Sequence, residues 1–234
     1  MNQKTKALKA AFPHTIPVFT GYIVLGMAYG ILMNSKGYSL LWVTLTSTFI
    51  FAGSMQFFSV SLLAAGFQPL YACLMTLMVN ARHLFYGISM LTKFKGTGNK
   101  KPYLIFGLTD ETFSILCSTE PPEEIDKDWF MFFITLLDHI YWITGSVLGS
   151  YIGNMIHFNT KGIDFVLTAF FVVTFINQWK GTKNHLPVII GVAASILCRL
   201  FFGASNFIIP SMICILLLVT ILRKTIESRE TPCN

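Results

Sequence analysis

Formal charge is scarce in this sequence of 234 residues, because only 12% of them are Asp, Glu, Lys or Arg. Soluble domains carry about 25% charged residues. Apolar residues make up 53% of the chain, and the mean hydropathy is +0.61. Several apolar runs reach about 20 residues, which is long enough to cross a bilayer. The composition excludes an ordinary soluble domain and predicts an all-α, polytopic helical membrane protein.

Motifs for catalysis, metal binding and nucleotide binding are absent as well. The chain contains no HExxH, GxSxG or P-loop sequence. Its cysteines are scattered without a CxxC pair, which is typical of free packing residues. The net charge of +6 comes from lysines near the ends of apolar runs, so it does not indicate a nucleic-acid partner. We therefore expect no enzyme activity, no cofactor and no metal.

Six apolar segments predict full membrane spans, and two others are irregular. The predicted spans are 15–33, 69–91, 129–151, 163–179, 186–202 and 207–222. Segment 38–66 is too long for one span and is interrupted by FAGSMQFF, whereas segment 102–118 is short and contains LTDETF. Each irregular segment is predicted to be a span, full or broken, or a re-entrant hairpin. The chain would then form one transmembrane transport domain, 1–234, with short tails at 1–12 and 223–234.

Lysine and arginine clusters predict the orientation, because such residues favour the cytoplasmic side. The clusters are Lys4, Lys6 and Lys9; Lys93, Lys95, Lys100 and Lys101; Lys180 and Lys183; and Arg223 and Lys224. All four fall on one side if both irregular segments leave the membrane on the side where they enter. We therefore predict that both termini are cytoplasmic, and that 38–66 enters from outside and 102–118 from inside.

A single arginine carries the only formal charge between residues 37 and 92. A charge at bilayer depth costs roughly 2.5–3.5 kcal/mol on insertion scales, so it normally faces the bundle interior and a partner. Arg82 lies beside Asn80 and His83 in VNARHLFYG, and its expected partner is Asp110 or Glu111. The alternative is an Arg–Asp pair that only locks helices together.

A helix break in FAGSMQFF would direct the start of a half-helix inward, where it favours a carboxylate; the alternative is a continuous helix with a buried glutamine. The candidate substrate-binding residues are Gly53, Gln56, Asn80, Arg82, Asp110 and Glu111. The candidate proton-coupling residues are His83, Asp110, Glu111 and Asp138.

Asp138 also shares a helix face with Gly145 and Gly149, a pattern typical of packing. Gly145, Gly149 and Gly153 predict close helix contact, as Gly26 and Gly30 do.

Six motifs together resemble the AzlC family of branched-chain amino acid export proteins. In order they are FPHTIPVFTGYIVLGMAYG, STFIFAGSMQFF, VNARHLFYG, LTDETFS, WITGSVLGSYIG and FVLTAFFVV. They run from Phe12 to Val173, and the apolar remainder of the chain is compatible with them. One departure is Val24, where the family pattern leads us to expect a proline.

The resemblance implies the large subunit of a two-part permease in the bacterial inner membrane. Its partner would be a short, separately encoded hydrophobic protein that is AzlD-like, and its substrates leucine, isoleucine, valine and their analogues. An ion gradient would drive export, since the chain has no nucleotide-binding motif. The alternatives are a channel or facilitator for a small solute, an intramembrane enzyme, or a structural subunit whose partner carries the transport site.

Overall fold

A computed structural model describes residues 2–64, 66, 68–155, 164–181 and 184–222, and within these ranges it is helical, without a β-strand. The helices are α1 (Gln3–Ser35), α2 (Leu40–Phe49), α3 (Gly53–Ala64), α4 (Pro69–Val79), α5 (Ala81–Ser89), α6 (Lys101–Phe106), α7 (Asp110–Ser118), α8 (Lys127–Met155), α9 (Asp164–Gly181), α10 (Leu186–Asn206) and α11 (Ile208–Ile221). A short 3-10 turn, Gly98–Lys100, precedes α6. The chain forms two compact units, Met1–Thr168 and Ala169–Asn234.

Two long helices, α1 and α8, pack in parallel and form the centre of the first unit. The ammonium group of Lys4 lies 4.4 Å from the ring of Trp129 at one end of the pair. At the other end, the amide of Asn34 donates a hydrogen bond of 2.8 Å to Asn154. Both helices are long and apolar enough to cross a membrane, as is Leu186–Gly203 in the second unit. The all-α membrane architecture predicted from composition is confirmed.

Glycines bring the backbones of α1 and α8 into direct contact. A Cβ atom at Gly26 would lie 2.9 Å from the backbone nitrogen of Ser146. A Cβ atom at Gly145 would lie 2.8 Å from the carbonyl oxygen of Tyr22. Both distances are too short for a real side chain, so only glycine permits this approach. The spacing of glycines predicted close packing correctly, and the structure shows that the packing lies within this chain.

The first unit also contains three pairs of short helices, α2 and α3, α4 and α5, and α6 and α7. A break in the helix separates the two members of each pair. The break between α2 and α3 contains Phe51, whose φ of 29° is unusual for a residue other than glycine. The break between α6 and α7 lies at 107–109. The third break, at Asn80 between α4 and α5, contradicts the prediction of one continuous span over 69–91. At this break the carbonyl of Asn80 accepts the amide of His83, three residues later, at 2.9 Å.

The two irregular segments are hairpins that begin and end on one side of the first unit. We name the side where α1 begins the near face and the side where α1 ends the far face. Three ion pairs at the near face join the start of α1, the lysine loop and the acidic loop at 120–128; they are Lys6–Glu124, Lys93–Glu120 and Lys100–Asp128. Hairpin α6–α7 therefore starts and ends at the near face.

Hairpin α2–α3 starts and ends at the far face. Its two ends, represented by Tyr38 and Gly66, line one cavity together with Met33 near the end of α1. This arrangement agrees with the re-entrant alternative for both irregular segments. The broken pair α4–α5 then passes from the far face to the near face.

The near face is held together by charged side chains outside the apolar helices. Glu120 accepts hydrogen bonds from Lys93 at 2.7 Å and lies 3.0 Å from the ammonium group of Lys127. These two contacts lower the pKa of Glu120. Because the carboxylate is exposed and screened by solvent, each pair contributes little to stability on its own. Together the pairs join the lysine loop, the acidic loop and the start of α1 at the near face.

Cysteine labelling in a cysteine-free background should place the near face in the cytoplasm. We expect Lys95→Cys and Glu123→Cys to react only from the cytoplasmic side, because the lysine-rich ends favour that side. Gln68→Cys, at the far face, should react only from outside. Reaction of Lys95→Cys and Gln68→Cys from the same side would contradict the two-hairpin arrangement.

The second unit contains α10, α11 and most of α9. Helix α10 bends at Gly203, where φ is 74°. The ring of Trp179 stacks on His185 at 4.1 Å, and the guanidinium of Arg199 lies 5.9 Å from the ring of Phe207. The predicted span start at 163, the basic residues Lys183, Arg223 and Lys224, and the tail 223–234 lie outside the described residues. The expectation of one domain over 1–234 stays a prediction.

Candidate functional site

Arg82 lies where three short helices begin. Its guanidinium donates a hydrogen bond of 2.8 Å to Ser54 Oγ and pairs with Asp110 Oδ2 at 2.7 Å. Ser54 is the second residue of α3, Arg82 the second residue of α5, and Asp110 the first residue of α7. The predicted pairing of Arg82 with one of the two adjacent carboxylates is therefore observed, with Asp110. Because a helix N-terminus carries partial positive charge, this point favours an anion.

The Arg82 side chain is 28% exposed and that of Asp110 is 21% exposed, so the described residues do not enclose this ion pair completely. Three buried polar atoms of the ion pair and of nearby Asn80, namely Arg82 Nε, Asp110 Oδ1 and Asn80 Oδ1, have no hydrogen-bond partner among the described residues. Buried polar atoms of this kind normally have partners. Within the described residues, one donor and two acceptors of Asn80, Arg82 and Asp110 are thus left to bind a solute.

Glu111 and Asp138 flank a row of three hydroxyl groups. The hydroxyl of Tyr22 donates to Glu111 at 2.7 Å and lies 2.7 Å from Thr109 Oγ1. Thr109 donates to Thr112 at 3.1 Å, and Thr112 donates to Asp138 at 2.8 Å. Asp138 is fully buried, and its other oxygen has no partner among the described residues. Among those residues it has no cationic partner within ion-pair distance.

Gln56 holds the break of hairpin α2–α3 against α8. Its amide oxygen accepts a hydrogen bond of 2.7 Å from the indole of Trp142, and its amide nitrogen lies 3.3 Å from Ser47 Oγ. The side chain is fully buried. A Cβ atom at the neighbouring Gly53 would lie 3.1 Å from the same indole. In this conformation Gln56 positions the start of α3 and leaves neither end of its amide open to a solute.

The two central histidines lie outside the Arg82 ion pair. His83 Nδ1 lies 3.3 Å from the carbonyl of Asn80, and its ring packs edge-on against Tyr86. His139 contacts the hydroxyl of Tyr103 at 3.0 Å. Neither histidine is hydrogen-bonded to a carboxylate among the described residues. Within the same part of the chain, no group of three or more His, Cys, Asp or Glu side chains could hold a metal ion.

Reading the sequence missed the uncharged members of this cluster. Ser54, Tyr22, Thr109 and Thr112 carry no charge, so hydropathy does not distinguish them from ordinary span residues. One signal was available for Thr109, because a threonine before an acidic pair is typical of a helix start. In the structure Thr109 caps α7 by accepting the backbone amide of Thr112 at 3.3 Å.

Comparison with known proteins identifies the family. The family model described as "AzlC protein" matches residues 17–156, a range that includes Arg82, Asp110 and Asp138. The "Branched-chain amino acid transport protein AzlC" of Bacillus subtilis (strain 168) is 50% identical over 233 residues, which cover 98% of this chain and 92% of that protein. The chain belongs to the AzlC family. The resemblance drawn from the six motifs is confirmed.

Other relatives of this AzlC-family chain carry general names. An "Uncharacterized membrane protein" of Helicobacter pylori (strain J99 / ATCC 700824) is 40% identical over 227 residues, covering 97% of this chain and 100% of the relative. The "Inner membrane protein YgaZ" of Escherichia coli (strain K12) is 25% identical over 209 residues, covering 86% and 84%. No solved structure matches this chain.

Proposed function

We propose that this AzlC-family chain is the large subunit of a secondary transporter that exports leucine, isoleucine, valine and their analogues across the bacterial inner membrane. The observation that carries the proposal is the position of Arg82, where α3, α5 and α7 all begin. The name of the Bacillus subtilis relative supports the substrate class.

The ion pair provides for both charges of an amino acid. Arg82 and the three helix starts bind the substrate carboxylate, since charge-assisted hydrogen bonds are the strong ones. When the carboxylate takes the guanidinium, Asp110 becomes available to the substrate ammonium. This exchange leaves no charge unpaired, and an unpaired buried charge is strongly unfavourable. Asn80 is two residues from Arg82, and its unpartnered amide oxygen can accept a hydrogen bond from the substrate ammonium.

An apolar cavity along hairpin α2–α3 accommodates the substrate side chain, and its lining includes Met55, which follows Ser54 in the sequence. Its volume is about 590 Å³, and it runs along hairpin α2–α3 on the far-face side. Ile50 and Met55 line it near the break, next to Ser54, while Tyr38 and Gly66 line it at the ends of the hairpin. A cavity of this size and polarity suits a branched aliphatic group leaving toward the far face.

The remaining parts of the proposal follow from the family and the charge pattern. An ion gradient supplies the energy, and the chain is not an enzyme. A short AzlD-like hydrophobic protein completes the permease, and the near face lies in the cytoplasm. Residues of this chain form the cluster around Arg82, so we place the substrate site here and not in the partner.

Amino acid efflux from cells tests the proposal. Cells that lack their own exporters would be loaded with a leucine-containing dipeptide, and leucine release would be measured with this chain, with the small subunit, with both and with neither. We expect strong leucine, isoleucine and valine release with both proteins and little with either one. Release of leucine by the small subunit alone would assign the transport site to the partner. Flux that never saturates would indicate a channel.

A further inference from the structure

Hydrogen bonds connect Glu111 and Asp138 through three hydroxyl groups, in the order Glu111, Tyr22, Thr109, Thr112, Asp138. The four successive distances are 2.7, 2.7, 3.1 and 2.8 Å. Each falls within or just above the normal range for hydrogen bonds between oxygens. The row is also continuous across three helices, because Tyr22 lies on α1, Thr109 to Thr112 start α7, and Asp138 lies on α8. We name these five residues the hydroxyl row.

The interior of the hydroxyl row is closed to water, and its Glu111 end is partly exposed. Tyr22, Thr109, Thr112 and Asp138 are buried, and Thr112 and Asp138 are fully so. Glu111 is half-buried and adjoins Asp110, the partner of Arg82. Asp138 keeps one oxygen without a partner among the described residues. The row thus links the substrate site to a buried carboxyl group.

The two end hydroxyls donate outward to the carboxylates, and one rotation of a hydroxyl aligns all the contacts in one direction. Tyr22 donates to Glu111 and Thr112 donates to Asp138, so both carboxylates are acceptors. Thr109 lies between the two donors and has one proton that it can direct either way. When Glu111 takes up a proton, the Tyr22 hydroxyl turns its own proton from Glu111 to Thr109. The Glu111 proton then passes to Tyr22 while Tyr22 passes its proton to Thr109, Thr109 to Thr112, and Thr112 to Asp138. Each hydroxyl gains one proton and loses one, so only Glu111 and Asp138 change charge.

We propose that the hydroxyl row conducts the coupling proton of this transporter between Asp138 and the substrate site. The inference rests on the proposed function and specifies its coupling ion and pathway. Tyr22, Thr109 and Thr112 are positioning and relay residues, and they need not touch the amino acid. Asp138 holds the proton away from the substrate, and Glu111 exchanges it beside the Arg82–Asp110 pair.

Other titratable or charged groups near the hydroxyl row influence its pH response. They are Arg82 and Tyr86 on α5, Asp110 on α7, and His139, which follows Asp138 on α8. A pH profile alone therefore does not identify the pathway. Variants that remove one hydroxyl and leave every carboxyl group in place are more specific, since they interrupt the row without changing a charge.

Everted membrane vesicles from cells that express the full chain and the small subunit provide the test. Two readouts are taken: proton release from an acidic lumen when leucine is added, and exchange of labelled leucine at equal pH on both sides. Tyr22→Phe and Thr112→Val should lower proton release by at least about ten-fold and leave exchange within about two-fold, as expected for loss of a proton-transfer group. Thr112→Ser, which keeps the hydroxyl, should restore release.

Two matched controls are available in the same helices. Tyr29→Phe removes another buried hydroxyl of α1, one that bonds to Thr46 and not to the row. Thr135→Val removes a fully buried hydroxyl of α8 that bonds only to its own helix, at the carbonyl of Met131. Both should keep leucine-driven proton release. Their exchange activity also shows whether loss of a buried hydroxyl in this fold is tolerated.

The possible results separate the two proposals. The proton pathway would be overturned, with the transport function left in place, if the wild type exchanged leucine without releasing protons. The same holds if a sodium gradient, and not a proton gradient, drove leucine transport. Proton release at the wild-type rate by both Tyr22→Phe and Thr112→Val would overturn it as well. Absence of leucine exchange in the wild type would overturn the proposed function, and the proton pathway with it.

Discussion

Replacing Arg82 with glutamine is expected to lower leucine export by about 100-fold, because each hydrogen bond to a charged group contributes about 1.5–3 kcal/mol and 1.4 kcal/mol is a factor of ten. The glutamine amide is polar like the guanidinium but carries no charge. Initial rates of leucine efflux, normalised to protein in the membrane, measure the effect. Arg199→Gln is the matched control, since Arg199 lies in the apolar helix α10 against Phe207 and should keep export.

A double variant distinguishes substrate binding from a structural lock. Arg82→Gln alone leaves Asp110 without its partner at 2.7 Å, which destabilises the fold whatever the function of the pair. Arg82→Gln with Asp110→Asn removes both charges, so the folded protein should recover in the membrane. If the pair is only a lock, export recovers too. We expect folding to recover and export to remain lost.

The charged part of this site could be predicted from the sequence for a simple physical reason. A lone arginine in a long apolar run must have a partner, and LTDETF contains the acidic residues that a partner requires. The break in FAGSMQFF was also predictable, because Gly53 and Ser54 interrupt an apolar run that is too long for one helix. The structure begins α3 at Gly53 and joins Ser54 to Arg82.

The break at Asn80 and the role of Gln56 could not be predicted in the same way. No glycine or proline lies next to residue 80 in segment 69–91, and one asparagine inside a span does not by itself end a helix. Gln56 resembled a substrate ligand because its sequence neighbours are apolar, whereas Trp142, 86 residues away, supplies its hydrogen bond. Only the tertiary structure shows which buried polar groups already have partners.

Hydroxyl groups present the same difficulty, because serine, threonine and tyrosine fit equally well inside a membrane as packing residues. Most of those described here bond to their own helix: Thr135, for example, donates to Met131. Tyr22 and Thr112 differ only in what lies opposite them on another helix. The sequence therefore indicated where charges meet and left the pathway between them undetermined.

Placing an alanine at Gly149 is expected to destabilise the whole first unit by about 3 kcal/mol, the upper end of the usual penalty for overpacking. The added Cβ atom would lie 2.5 Å from the Cα of Met27, which is backbone and cannot rotate away. Helices α1 and α8 would have to separate, and Tyr22 and Asp138 would move with them. The measurement is the thermal midpoint of the detergent-solubilised protein, together with the yield of folded protein in the membrane.

Gly21→Ala, also in helix α1, is the matched control. A Cβ atom at Gly21 would meet no neighbouring atom within 4 Å. Removing a glycine from a helix interior gains roughly 0.5–1 kcal/mol, so this variant should be neutral or slightly stabilised.

The glycines of α8 also bear on the small subunit, since small-residue faces commonly join separate transmembrane helices. If Gly149→Ala kept its stability but lost the small subunit on purification, the glycine face would bind the partner and the contact with α1 would be wrong. A large fall in the thermal midpoint of the chain without any partner present assigns that face to α1.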